Sequence, residues 1–329
     1  MRRVGGCASM AAVQPMIEVD GVEKSYGERA ALRGVSFAVS SGEIVGLLGP
    51  NGAGKSTAMS ILATILASDR GHVRICGHAL PAQAPAARAA IGYVPQRESL
   101  YPTLTARENL LFFARIFGLS RDASRDACER SLAGVGLEDR GNEPIAHFSV
   151  GMRRRLNLAC GILHGPRVVL LDEPTVGVDP QSRERIFDLV RALAARGAAI
   201  LYSTHAMDEA ERLCGRVVLL DEGRVIASGT PEELVSQAGL RTMLRLRVTP
   251  PLAAGWSASC AGILRVEDGG DETRVELSEP GAVPSVLLAA GAHGGEIEEL
   301  HFHRPDLADV FFALTGRALR DQGQEHSAP

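Results

Sequence analysis

The sequence has little of several features that define other classes of protein. Its six cysteines lie far apart and form no C-x-x-C pair, which argues against a zinc knuckle or a disulfide framework and favours a reducing, cytoplasmic setting. No uncharged apolar run reaches the roughly 18 residues needed to cross a bilayer. A net charge of −4 gives no basic footprint for nucleic acid. We therefore expect no nucleic-acid partner, and any membrane role requires a separate chain.

Lysine is also scarce, because Lys24 and Lys55 are the only lysines among 35 basic residues. What the sequence has in quantity is apolar surface. Hydrophobic residues make up 45% of the 329 positions, which is enough for one large domain or two ordinary domains with a real core.

From Met16 onwards, short apolar segments alternate with amphipathic ones, a pattern typical of an α/β fold with a mainly parallel sheet flanked by helices. We expect a buried strand at residues 44–48 and then a helix after Gly54 with Met59, Leu62, Ile65 and Leu66 on its core side. Four further strands are predicted, at Ile91–Val94, Val168–Leu171, Ala199–Ser203 and Val217–Leu220.

The pattern also divides the chain into regions. We expect a flexible extension at 1–15, an α/β domain at 16–235 with a helical subdomain at about 97–160, an α+β domain at 236–320 and a flexible tail at 321–329. In the α+β domain we predict a strand at Leu244–Val248, a hairpin turning at 268–271 and a final helix whose apolar side chains are Leu307, Val310, Phe311 and Leu314.

A phosphate-binding pattern follows the first buried strand directly and opens a helix, as such a loop requires. Its residues are Gly49, Pro50, Asn51, Gly52, Ala53, Gly54, Lys55, Ser56 and Thr57. The glycines let main-chain N–H groups turn around a polyphosphate, and the helix N-terminus favours the anion. Lys55 would reach the β and γ phosphates of ATP, and the Ser56 hydroxyl would bind Mg²⁺.

A second motif ends the buried strand at 168–171 with Asp172 and Glu173. Asp172 would hold Mg²⁺, and Glu173 would act as the general base for the attacking water. Two acids after an apolar run also occur at ordinary helix starts. Their position downstream of the phosphate loop favours the catalytic interpretation.

The order of these motifs resembles that of the ATP-binding subunits of ABC transporters over roughly residues 16–234. The resemblance implies a P-loop NTPase core that uses MgATP. It further implies that Tyr26 stacks on adenine, that Gln96 senses Mg²⁺ and the attacking water, and that His205 binds the γ-phosphate. Asp179 matches a loop that contacts the second subunit, although an Asp before a proline is equally a helix N-cap.

The segment Phe148-Ser149-Val150-Gly151-Met152 stands where that family carries its LSGGQ signature. By this resemblance, Ser149 and Gly151 would contact the γ-phosphate held by the opposite subunit. Val150 replaces a glycine, and a β-branched residue disfavours positive φ and takes up space at the interface, so a hydrolysis-impaired regulatory subunit is an alternative. The arginines at 153–155 are either a solvated helix face or a support for this loop.

Met152 and the C-terminal segment at 304–311 are similar to bacterial drug exporters of the daunorubicin-resistance type. The resemblance implies a dimer of ATP-binding subunits, identical or related. The dimer would drive export through a multi-span permease at the cytoplasmic face of the membrane, with permease helices in a groove near Gln96 and residues 98–109. Import remains possible. A soluble ABC-type ATPase is the other alternative, against which the chain shows neither heptads nor a second phosphate loop.

Overall fold

The computed structural model describes residues 14–253, 255–258, 260–269 and 272–317, which form two compact units that divide between Ser228 and Gly229. The predicted domain boundary at 235 lies slightly further along the chain. Most of the predicted extension at 1–15, the tail at 321–329, and Gly270 and Asp271 of the predicted turn lie outside the described residues.

The first unit alternates strands and helices, which confirms the α/β class. In chain order its elements are β1 (Ile17–Tyr26), β2 (Arg29–Val39), β3 (Ile44–Leu48), α1 (Lys55–Leu62), β4 (Arg70–Ile75), β5 (His78–Leu80), α2 (Ala84–Ala89), β6 (Ile91–Val94), α3 (Ala106–Ile116), α4 (Arg121–Gly134), α5 (Val150–Ile162), β7 (Val168–Asp172), α6 (Pro180–Ala195), β8 (Ala199–Thr204), α7 (Met207–Leu213), β9 (Arg216–Asp221) and β10 (Arg224–Gly229).

Two sheets carry this unit. The central sheet has the order β10-β9-β3-β8-β7-β6, and its strands from β9 to β6 are parallel, as the buried apolar runs predict. An antiparallel sheet of order β2-β1-β4-β5 shares a hydrophobic cluster with it. Parallel strands end at one edge of a sheet, so the segments after β3, β7 and β8 come together there.

Helix α1 ends earlier than its apolar spacing predicts. The helix stops at Leu62, and Thr64 has a φ of 61°, so the chain leaves the helical path before Ile65. Met59 and Leu62 are buried as expected, but Ile65 is 68% exposed, and its assignment to the core face is wrong. Ile61 is buried in its place.

Helices α3, α4 and α5 enclose a separate apolar cluster in which Leu110, Leu132 and Leu156 are fully buried. Side chains define the start of each helix. Thr105 and Glu108 form a capping box on α3, and Ser120 and Ser149 cap α4 and α5.

The second unit contains α8 (Pro231–Gln237), β11 (Thr242–Thr249), β12 (Ile263–Asp268), β13 (Thr273–Leu277), α9 (Val283–Ala292), β14 (Glu296–His303) and α10 (Leu307–Thr315). Its sheet has the order β12-β13-β11-β14. The alternating residues of β11 are buried with those of α9, and Leu314 of α10 is 47% exposed. In the described part of the chain, no helix is both long and apolar enough to cross a membrane.

Candidate functional site

A cleft of about 370 Å³ opens where the phosphate loop meets the edge of the central sheet. Its walls come from β1, β2, the loop and first turn of α1, the second residue after β6 and the residue after β7. The lining residues are Tyr26, Arg29, Ala31, Asn51, Gly52, Gly54, Lys55, Ser56, Thr57, Gln96 and Glu173. Most predicted residues of the phosphate loop therefore share one cavity with the predicted general base.

Two glycines of the loop are required by close backbone packing. A Cβ on Gly54 would lie 2.7 Å from the Ala31 carbonyl oxygen, and one on Gly49 would overlap the Leu220 carbonyl oxygen. Gly54 also has a φ of 111°, which side chains rarely adopt. Gly49, Pro50 and Ala53 of the loop do not line the cleft. The structure thus explains the glycines by the fit of the loop against β2 and β9.

Lys55 is the buried cation of this cleft, only 4% exposed. Its Nζ donates to the carbonyl oxygens of Gly49 at 2.6 Å and Pro50 at 3.2 Å, and lies 3.5 Å from Oε1 of Glu173. Burial lowers the pKa of Lys55, and the Glu173 carboxylate opposes that shift. A buried ammonium with so little access to water is well suited to binding an anion in the cleft.

Three predicted site residues, Lys55, His205 and Gln96, contact the carboxylate of Glu173. His205 Nδ1 lies 3.2 Å from its Oε1, and Gln96 Nε2 donates to its Oε2 at 2.9 Å. The hydrogen bond with His205, together with the Lys55 charge, lowers the pKa of Glu173 despite its burial. The carboxylate is therefore ionised at neutral pH and can accept a proton.

Asp172 supplies carboxylate oxygens, which are the ligands that a hard dication prefers. It is 3% exposed, and Ser203 Oγ donates to its Oδ1 at 2.5 Å. Burial raises the pKa of Asp172, while hydrogen bonds from Ser203 and Ser56 oppose the rise. A buried carboxylate beside the exposed Ser56 hydroxyl is an all-oxygen set of the kind Mg²⁺ prefers, so these residues fit the ion.

Tyr26 ends β1, lines the cleft and is 54% exposed, so its side chain is accessible to a ligand. Three residues of the site were not predicted: Arg29 and Ala31, which line the same wall, and Ser203, which contacts Asp172. The register of β7 against β8 pairs Asp172 with Ser203. That pairing, inferred from two adjacent apolar strands, could have indicated Ser203.

The signature segment begins α5 and does not line this cleft. Ser149 is the N-cap, accepting from Met152 N at 3.2 Å, and Val150 is the first helical residue, 42% exposed. Val150 has helical geometry and is absent from the positive-φ residues of the described chain. The predicted conformational conflict at Val150 therefore does not arise, whereas its exposed side chain remains available to an interface.

Gly151 is held by a close approach of two helices. A Cβ there would lie 2.6 Å from Oδ1 of Asp179 and would overlap the Ser182 hydroxyl. Asp179 is the N-cap of α6, accepting from Ser182 N at 2.9 Å, which matches the structural interpretation of this residue. The signature glycine and the Asp179 loop therefore pack against each other within one chain.

The three arginines after the signature are not a solvated face. Arg153 donates to Glu98 and to the Phe148 carbonyl, both at 2.9 Å, and Arg154 donates to the Gln96 carbonyl. Arg155 is buried and donates to the carbonyls of residues 135 and 136. The bond from Arg153 to Phe148 agrees with the alternative that the arginines support the signature loop, while Arg154 and Arg155 tie α5 to other segments.

Comparison with known proteins gives the family. The model of the family described as "ABC transporter" matches residues 32–176. The linearmycin resistance ATP-binding protein LnrL of Bacillus subtilis is 38% identical over 311 residues, covering 93% of this chain and all of that protein. This chain belongs to the ABC transporter ATP-binding family. It binds ATP and is an ATPase, and it is similar to subunits of the export type.

One further relative and one solved structure agree with this family. The Nod factor export ATP-binding protein I of Paraburkholderia xenovorans is 41% identical over 309 residues, covering 93% of this chain and 98% of that protein. A solved structure, titled "Structure of ATP binding subunit of ABC transporter", has a TM-score of 0.63 and 35% identity. It covers 68% of this chain and 94% of the other. The P-loop fold predicted from the motifs is confirmed.

Proposed function

We propose that this ABC ATPase is the energy-supplying subunit of an exporter. It binds MgATP, pairs with a second ATP-binding subunit, identical or related, and hydrolyses ATP to drive a separate multi-span permease at the cytoplasmic face of the membrane. The observation that carries the proposal is the convergence of Lys55, Gln96 and His205 on Glu173 in the phosphate-loop cleft.

The predicted site residues of the cleft have distinct roles in binding ATP and in phosphoryl transfer, which depends on positioning and charge stabilisation. Loop residues 49–57 hold the phosphates, and Tyr26 stacks on the adenine ring. Lys55 stabilises negative charge on the transferred group. Glu173 accepts the proton of the attacking water, and His205 holds Glu173 and the γ-phosphate in place.

Ser56 and Asp172 would hold Mg²⁺, with Gln96 beside it. When bound, the ion neutralises charge on the β and γ phosphates. The protein's own part is to keep the Asp172 carboxylate buried and correctly oriented, which the Ser203 hydroxyl does from the neighbouring strand.

Ser149, Gly151 and Asp179 do not share the cleft of their own chain, so we assign them to the cleft of the second subunit. A solved bacterial ABC cassette described as dimeric, with 29% identity and a TM-score of 0.60, supports such pairing. The names of two relatives, linearmycin resistance and Nod factor export, support export as the direction of transport.

The proposal is tested with Glu173→Gln and Lys55→Ala. Glu173→Gln should bind ATP normally, accumulate as an ATP-bound dimer and lose about 10²- to 10⁴-fold in turnover, since it removes the base and retains the shape. Lys55→Ala should lose ATP binding. Undiminished turnover in Glu173→Gln would show that Glu173 is not the general base.

The transport role needs its own measurement. The tagged chain should co-purify with a multi-span membrane protein, whose presence should change the ATPase rate. Co-purification with ribosomes or with DNA-repair proteins in place of a membrane protein would instead support the soluble ABC-type ATPase.

A further inference from the structure

Glu209 of α7 is a buried carboxylate outside the cleft, only 3% exposed. Its Oε2 accepts three hydrogen bonds, from Thr175 Oγ1 at 2.7 Å, Tyr202 OH at 2.9 Å and Thr204 Oγ1 at 3.3 Å. Its Oε1 lies 3.3 Å from Nε of Arg183, an ion pair without hydrogen-bond geometry. A buried carboxylate is stable only with partners of this kind, and here the four partners come from three separate segments.

Two of these partners adjoin the residues assigned to chemistry. Thr204 directly precedes His205, and its hydroxyl also accepts from Ala206 N at 3.0 Å, so it closes the turn that presents His205. Thr175 follows Glu173 by two residues, and its carbonyl accepts from Val178 N at 3.1 Å. Through these hydroxyls, one carboxylate contacts the chain on the carboxyl side of Glu173 and the turn around His205.

Arg183 connects the carboxylate of Glu209 to α6. Arg183 lies in the first turn of that helix, whose N-cap is Asp179. The side chain of Arg183 is 30% exposed, and Nη1 also lies 4.0 Å from Asp208. The carboxylate of Glu209 therefore links the loop proposed to face the second subunit with the segments that carry Glu173 and His205.

The backbone at Glu173 needs such support. Glu173 has a φ of +48°, a left-handed conformation that residues other than glycine adopt only when the surrounding structure imposes it. On its amino side, the N–H of Glu173 donates to the Ser203 carbonyl at 3.1 Å. On its carboxyl side, the Thr175 hydroxyl is held by its hydrogen bond to Glu209 at 2.7 Å.

We propose that Glu209 is a positioning residue for ATP hydrolysis, acting through Thr175, Thr204 and Arg183 to hold Glu173, His205 and the Asp179 loop in one fixed arrangement. The inference rests on the roles assigned under the proposed function. Burial and the nearby Glu209 charge raise the pKa of Tyr202 well above its usual value, so the phenol stays protonated as a donor to the cluster.

The ion pair gives the sharpest test. In Glu209→Gln, the amide oxygen can still accept the three hydroxyl hydrogen bonds, but the amide group cannot pair with Arg183. Arg183→Met removes the same link from the other side at a partly exposed position. Each variant should lower kcat about tenfold and leave KM for ATP within about twofold, since a small misplacement affects chemistry more than binding.

The double variant Glu209→Gln with Arg183→Met should be no slower than either single variant, because both remove one interaction. The matched control is Glu184→Gln, which breaks the Arg212–Glu184 pair that joins α6 to α7 at half-exposed positions. It should leave kcat unchanged. If Glu209→Gln fails to fold, Arg183→Met and its comparison with Glu184→Gln carry the test.

Three results would overturn the proposal: an unchanged kcat in Arg183→Met, single-variant losses that multiply in the double variant, or an equal loss in Glu184→Gln. Wild-type protein and Glu173→Gln are assayed alongside. A wild-type chain without ATP turnover, or a fully active Glu173→Gln, would refute the proposed function. An active wild type with an inert Glu209–Arg183 pair would refute this inference alone.

Discussion

The packing of α5 against the start of α6 predicts that Gly151→Ala destabilises the first unit. The added Cβ would lie 2.6 Å from Oδ1 of Asp179 and 2.7 Å from Cβ of Ser182, well inside normal contact. Relieving the overlap by moving either residue disturbs the N-cap bond from Ser182 N to Asp179. Both the helix contact and the cap are therefore strained by one methyl group.

The magnitude follows from three contributions. Overpacking costs about 1–3 kcal/mol, and weakening an N-cap costs about 0.5–2 kcal/mol. Replacing a helical glycine by alanine returns about 0.5–1 kcal/mol. A net loss of about 2 kcal/mol should lower the melting temperature by roughly 4–8 °C.

The matched control is Gly134→Ala, at the exposed last residue of α4, where a Cβ would meet nothing within 4 Å. It should be neutral or slightly stabilising. The assay is thermal unfolding of both variants by circular dichroism, together with ATP turnover. If Gly151→Ala melts at the same temperature as Gly134→Ala, the close approach of the two helices is not a constraint on this position.

Three further predictions concern the rim of the site and its surroundings. Val150→Gly should raise the ATPase rate by less than about twofold, since Val150 already has helical geometry and glycine only weakens the helix; a severalfold gain would support the hydrolysis-impaired alternative. Tyr26→Ala should weaken ATP binding about tenfold in calorimetry, as lost base stacking does, while Tyr26→Phe should bind normally. The hydrogen bond from Lys24 lowers the pKa of Asp69. The ionised carboxylate therefore stabilises the folded protein above the unfolded pKa of about 3.9. This stability is lost as the pH falls through the lower pKa of the folded state. Asp69→Asn should lack this part of the acid dependence of the melting temperature, and identical pH profiles would contradict it.

Much of the central sheet and its site edge could be predicted because β3, β7 and β8 are short, buried runs followed directly by site residues. Lys55 and Glu173 could be placed at one sheet edge for that reason alone. Spacing could not show that the chain leaves the helix at Thr64, because the apolar pattern of α1 continues through Ile65 and Leu66. That ending depends on backbone geometry, which periodicity does not record.

Contacts between distant segments were also beyond reach. Arg155 looks like a surface charge in the sequence, and only the position of α4 reveals the two carbonyls that receive it. Glu209 likewise resembles an ordinary solvent-facing residue in an acidic turn. In the smaller unit, α9 and β14 were not predicted from the sequence. Residues Glu296–His303 of β14 remain largely exposed, so no buried face marks this strand in the apolar pattern.

The left-handed backbone at Glu173 implies a trade-off between durability and activity. Glycine is the residue that this conformation suits, so Glu173→Gly would relax the chain while deleting the carboxylate. The strained backbone alone would favour that exchange, whereas the contact of the carboxylate with buried Lys55 and the need for turnover both oppose it. Engineering this ATPase for heat resistance should therefore leave position 173 untouched and seek its gains at exposed glycines such as Gly134.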